Sequence, residues 1–217
     1  MEIFHTLLAV SMFSIGAYYD WKTGMISEKL WLAFGLVAAI AYVINPPSYG
    51  VAWIMGLGAL VALAGRLARL YATGDFEALL TLSFILPVFN DVPIIIPVLF
   101  CSAIISLLAV LVINPILNIQ RSGLKLFSDL SDSIPRKFLA FFLVHKYNLG
   151  EIHAYCGEKN SNGQRTLWFL STRHPRHVDE IPIKAGTYVG ITIPLLIPLT
   201  VSLISVLVTL AIFDPII

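Results

Sequence analysis

From Pro93 to Ile119 the chain runs for 27 residues without an Asp, Glu, Lys or Arg. A helix needs about 20 mostly apolar residues to cross a bilayer, and an uncharged run of that length has few other stable settings. Five further apolar segments accompany it, at Ile3–Tyr19, Leu30–Ile44, Val51–Tyr71, Phe76–Phe89 and Tyr188–Phe213, the second and fourth of the six being short. Of the 217 residues 58% are hydrophobic and 12% charged, against about 25% charged in a soluble domain. The expected class is an all-α polytopic membrane protein with six transmembrane helices. Its first helix follows Met1, Glu2 and His5 rather than Lys or Arg, so it reads as retained and not as a cleaved signal peptide.

Short connectors join the first five segments: Asp20 to Lys29, the turn at Asn45-Pro46-Pro47-Ser48, the break at Thr73-Gly74, and Asn90-Asp91-Val92-Pro93. Between the fifth and sixth lies a polar stretch of about 65 residues, too polar to enter lipid. The expected organisation is a five-helix membrane domain over 1–119, a cytoplasmic α+β insert over 120–187, and the sixth helix over 188–217. Within the insert, Ile134 to Tyr147 combines an apolar core with flanking basic residues, which suits a helix on the membrane surface or one packed under the bundle. The runs Glu151–Gly157 and Arg165–Thr172 read as a β-hairpin joined by Glu158 to Gly163.

Cytoplasmic loops carry the excess of Lys and Arg. All 14 here follow helix one (Lys22, Lys29), end helix three (Arg66, Arg69) or follow helix five (the other ten), and none lies before helix one or after helices two, four or six. The N-terminus is therefore expected outside a multi-pass cell membrane, with the insert in the cytoplasm. That orientation brings two acids to one face. Helix one runs inward to Asp20, and helix four runs outward from Asp75. Gly16 and Ala17 lie about a turn deeper than Asp20, and Ala78 a turn deeper than Asp75, where small residues permit close helix approach. Gly58, Ala62 and Gly65 suit tight packing of helix three in the same way, and Pro194 with Pro198 predicts a kink in helix six.

A carboxylate at the edge of hydrocarbon is costly, which makes it a functional candidate. Two that share a site cannot both ionise comfortably, so one keeps its proton. The ionised member can then activate water while the protonated one hydrogen-bonds a scissile carbonyl, with no metal or cofactor required. Gly74 leaves the backbone beside Asp75 approachable, and Thr73 with Gly74 would shape the site. Acting singly, each acid suits a plain solvated helix end, and Asp75 suits a helix N-terminus. His153, Cys156, His174 and His177 do not form a metal pattern, because residues three apart on a strand face opposite sides and Pro175 bars a helix.

The segment Asp20-Trp21-Lys22-Thr23-Gly24-Met25-Ile26-Ser27 resembles the stretch after the first helix of type IV prepilin peptidases and archaeal preflagellin peptidases. Ala72-Thr73-Gly74-Asp75 resembles their Gly-x-Gly-Asp motif, which presenilin-type intramembrane aspartyl proteases share, and Ile193 to Pro198 is similar to the last helix of the archaeal enzymes. Ala72 replaces the first Gly, Ser27 stands where Pro is frequent, and Phe76-Glu77 replaces a segment that often carries Lys. The resemblance implies an aspartic endopeptidase with Asp20 and Asp75 as the catalytic pair, removing a basic leader from preflagellin or prepilin precursors. Lack of a cysteine-rich domain implies the archaeal type, without methyltransferase activity. Glu28 and Glu77 would attract leader Lys or Arg. Beyond the precursor and the bilayer no partner is expected, nucleic acid included. Two other classes fit the same residues: a small proton- or cation-coupled transporter, which would favour acids at mid-membrane, and a non-enzymatic assembly factor working through the insert.

Overall fold

The computed structural model describes residues 2–23, 26–68, 73–122, 126–147, 154–156, 158–161, 164–167, 186–191 and 195–213. In chain order the elements are α1 (Glu2–Thr23), α2 (Glu28–Ile44), α3 (Tyr49–Leu67), α4 (Thr73–Ile85), β1 (Val88–Phe89), β2 (Val92–Pro93), α5 (Ile95–Ser122), α6 (Ile134–Leu143), β3 (His145–Lys146), β4 (Ala154–Cys156), β5 (Glu158–Ser161), β6 (Gln164–Leu167), β7 (Tyr188–Ile191) and α7 (Leu196–Phe213). The chain is mostly helical. Among the described residues three helices, α3, α5 over Ile95–Arg121 and α7, are long and apolar enough to cross a membrane. The chain divides into two compact units, Met1–Ile105 with Pro194–Ile217, and Ser106–Ile193, the division falling inside α5.

In the first unit α4 is the central element, packed against α1, α2 and α3. Ala78, Leu79, Leu82 and Ile85 are fully buried, as expected of a helix apolar all round. On α3 the buried residues are Gly58, Ala62 and Gly65, the small-residue stripe read in the sequence. A Cβ on Gly58 would lie 2.7 Å from Ser83 Oγ and 2.9 Å from Ser83 Cβ, so α3 and α4 touch backbone to side chain there. Many large apolar side chains elsewhere on these helices point outward, Val43 at 84% and Leu32 at 71% exposed among them. Apolar surface of that extent marks contact with a membrane or with other protein.

Several expected boundaries move. The fourth apolar segment does not stay helical to Phe89: α4 stops at Ile85, because the residue before Pro87 is pushed out of the helical region. The chain then forms a tight hairpin in which Val88 pairs with Pro93 and Phe89 with Val92. Asn90 (φ 47°) and Asp91 (φ 57°) both adopt left-handed geometry, the pattern of a type I′ turn. The sixth segment loses its start, since Tyr188–Ile191 is strand β7 and the helix begins at Leu196. Pro198 therefore sits in the first turn of α7, where an N–H has no partner within the helix, and no mid-helix kink follows from it. Pro194 lies outside the described residues.

In the second unit β7 is the middle strand of a three-stranded antiparallel sheet, between β3 and β4. The hairpin differs from expectation. Gln164–Leu167 pairs with Glu158–Ser161, the stretch read as its loop, and Ala154–Cys156 pairs with β7 instead. The last pair of the register is Ser161 with Gln164. The core gathers Phe127, Leu130, Ala140, Val144, Leu167 and Tyr188. Tyr188 Oη accepts from the Phe127 N–H at 3.0 Å and donates to Asp129 at 3.1 Å. Asp132 accepts from the Leu167 N–H at 2.7 Å and from Arg136 at 3.2 Å, tying β6 to the first turn of α6.

Candidate active site

Which ends of the helices meet decides whether Asp20 and Asp75 can cooperate. At one end, Glu2 at the start of α1 accepts a hydrogen bond from the Asn90 N–H at 2.9 Å, and the Asn90 side chain donates to Leu210 O near the end of α7. The same end holds a cavity of about 340 Å³ lined by His5, Tyr42, Val51 and Leu86. The starts of α1 and α3 thus meet the ends of α2, α4 and α7. At the opposite end, a Cβ on Gly16 of α1 would come within 2.9 Å of Trp31 in α2 and 3.2 Å of Leu196 in α7. The end of α1 therefore lies with the starts of α2, α4 and α7. Asp20 and Asp75 share that end.

Helical phase then places each carboxylate. The buried residues of α1 are His5, Ala9, Met12, Phe13 and Gly16, a single stripe. At about 100° per residue, Asp20 is displaced only about 20° from Phe13 and 40° from Gly16 around the helix. It continues that stripe, half-buried, on the last turns of α1. On α4, Leu82, Leu79 and Ala78 lie about 20°, 40° and 60° from Asp75 by the same rule, and all three are fully buried. Asp75, half-buried in the first turn, thus begins the packed face of a helix that touches α1. Counting rise from the shared far end, with His5 and Ile85 as origins, Asp75 lies about 15 Å along α4 and Asp20 about 22 Å along α1. Along the helix axes the two positions therefore differ by about 7 Å, a little over one turn.

Glu28 and Glu77 also come together, but elsewhere. Both line a cavity of about 780 Å³ formed by α2, α3 and α4, whose walls are otherwise largely apolar and include Trp31, Gly35, Leu80 and Phe84. Arg66 at the end of α3 is close enough for its charge to act on Glu77, as is Glu28. Two residues of helix turn Glu77 about 160° away from Asp75, so this acidic mouth opens on the opposite side of α4. Gly74 lies in open space: a Cβ there would meet nothing within 4 Å. Of Thr73 only the backbone is described, at the start of α4. Gly24, Met25 and Ala72 of the two motifs lie outside the described residues, as do His153, His174 and His177.

One structural residue near the site was not singled out in the sequence. The Thr200 hydroxyl of α7 lies 2.6 Å from Leu196 O and 3.0 Å from Phe13 O, joining α7 to α1 within the apolar interior. Its signal was a hydroxyl, one of four with Ser202, Ser205 and Thr209, in an apolar run, a setting that interhelical hydrogen bonding in membranes favours. No protein-family model, curated protein or solved structure matches the chain.

Proposed function

We propose that the chain is a membrane-embedded aspartyl endopeptidase that removes the short basic leader of preflagellin or prepilin precursors at the cytoplasmic face. The observation that carries the reading is that Asp20 and Asp75 extend the packed faces of two touching helices at the same end of the bundle. A pair so placed shares one proton: the ionised member draws a proton from water, and its partner hydrogen-bonds the scissile carbonyl. Water and a polar leader enter from the cytoplasm, while the low dielectric of the bundle strengthens the shared-proton arrangement. Side chains tilt toward the start of their own helix, so Asp20 leans into the bundle and Asp75 out of it, which narrows the gap between them.

The membrane arrangement belongs to the same proposal: six spans, with the N-terminus outside. Its support is the restriction of Lys and Arg to alternate loops together with the alternation of helix ends fixed by Glu2, Asn90 and Leu210. Short α4, about 20 Å long by its rise, is walled by α1, α2 and α3, and the hairpin at its end satisfies its own backbone groups.

The test is co-expression with candidate precursors, scoring leader removal for Asp20→Asn and Asp75→Asn separately. Each variant is expected to abolish cleavage while remaining in the membrane at normal level. Cleavage retained in either removes that residue from the pair.

A further inference from the structure

Helix α6 packs Ala140, Phe141 and Leu143 into the core of the second unit and turns a second apolar face outward. Its buried residue is Ala140. About 120° to 200° around the helix from Ala140 stand Ile134, Phe138 and Phe142. Ile134 is 84% and Phe138 65% exposed, and the Phe138 and Phe142 rings meet edge to face at 5.4 Å. Arg136 and Lys137 lie on the flanks of the inward side, about 40° and 60° from Ala140. The outward surface is therefore aromatic and aliphatic, with the charges set back from it.

Its depth is fixed by α5. Asn114 and Asn118, both fully buried, donate to the last carbonyls around the end of α6: Asn114 to Phe142 O at 3.0 Å, and Asn118 to Phe141 O at 2.9 Å and Val144 O at 2.7 Å. Carbonyls at a helix end have no partner within the helix, so these bonds cap α6 from outside. Asn114 Oδ1 faces His145 Nδ1 at 2.9 Å, which extends the anchor into β3. Counted from Ile95, Asn114 lies about 28 Å along α5, close to the roughly 30 Å of a bilayer's hydrocarbon core. Arg121, about 10 Å further on, donates to Lys146 O at 2.9 Å.

We infer that α6 is an interfacial membrane helix, held by Asn114 and Asn118 at the inner hydrocarbon boundary with Ile134 and Phe138 in contact with lipid. The occupant of its outward face is the bilayer. The polar anchors place the end of α6 at the depth where hydrocarbon stops, and the charge distribution matches a helix with lipid on one side and headgroups on the other. The inference rests on α5 crossing the bilayer and not on the catalytic reading.

The experiment uses the whole chain with Cys101 and Cys156 replaced by Ser, reconstituted in vesicles of phosphatidylcholine and phosphatidylglycerol. Spin labels are placed singly through Ile134→Cys, Phe138→Cys and, in the preceding loop, Ser131→Cys. Labels at 134 and 138 are expected to collide several-fold more with oxygen and less with a water-soluble nickel chelate than the label at 131, at a depth of roughly 5 to 10 Å. Equal nickel access at 131 and 138 overturns the inference. So does shielding of 134 and 138 from both probes, which would mean that protein covers the face. If Phe138→Cys fails to fold, Ile134→Cys reads the same face alone.

Discussion

Replacing Gly58 by Ala tests the packing that holds α4 in place. The added Cβ would lie 2.7 Å from Ser83 Oγ and 2.9 Å from Ser83 Cβ. The hydroxyl already donates to Leu79 O at 2.8 Å, and Cβ is fixed to the α4 backbone, so rotating the side chain gives no relief. Carbon atoms pack best at about 3.5 to 4.0 Å, so α3 and α4 must part by roughly 0.6 to 1 Å. Overpacking of this kind costs about 1 to 3 kcal/mol, while Ala in a helix gains about 0.5 to 1 kcal/mol over Gly. Gly56, on the same helix with nothing within 4 Å of its added Cβ, isolates the second term. Equilibrium denaturation in one detergent, followed by circular dichroism, should find Gly56→Ala slightly more stable than the parent. Gly58→Ala should fall about 1 to 3 kcal/mol below Gly56→Ala. Ser83→Gly removes both clashing atoms, so the double variant should recover that difference. Equal stability of the two Ala variants, or no coupling to Ser83→Gly, would refute the close approach.

Asn118→Asp should be more damaging than its size suggests, because a carboxylate cannot donate to Phe141 O and Val144 O. Each orphaned buried group costs about 1 to 3 kcal/mol, so limited proteolysis should cut within residues 134–147 faster than in the parent, and an unchanged rate would count against the anchor. Gly74→Ala should leave the melting temperature unchanged or slightly raised, since its Cβ meets open space. A fall in melting temperature would show that the space is not open, whereas normal stability with reduced cleavage would indicate that substrate approaches the backbone at 74.

What could be read before folding was whatever depends on one helix at a time. The existence of the apolar helices and the Gly58, Ala62, Gly65 stripe follow from local hydropathy and a 3.6-residue period. The phase separation of Glu77 from Asp75 was also present in the spacing, since two residues of helix nearly reverse a side chain's direction. Grouping both glutamates with the aspartates by sequence proximity overlooked it. Other features depended on a partner distant in the chain. Whether Pro198 bends α7 depends on where the helix starts, and that was decided by Tyr188 entering the core of the second unit as part of a strand. Strand pairing in 154–167 was not legible, because a strand of three or four residues has too little pattern to choose between neighbours, and β4 found its partner in β7. Asn114 and Asn118 were not singled out in the apolar run that holds them, because their partners, the carbonyls of α6, are distant in the chain. Composition and periodicity, summed along the chain, determined that it is mostly helical and holds helices long and apolar enough to cross a membrane. Directional contacts between residues far apart in sequence decided which faces Asp20 and Asp75 extend and what α6 turns outward, because hydrogen bonds and close packing require a partner whose position only the folded chain defines.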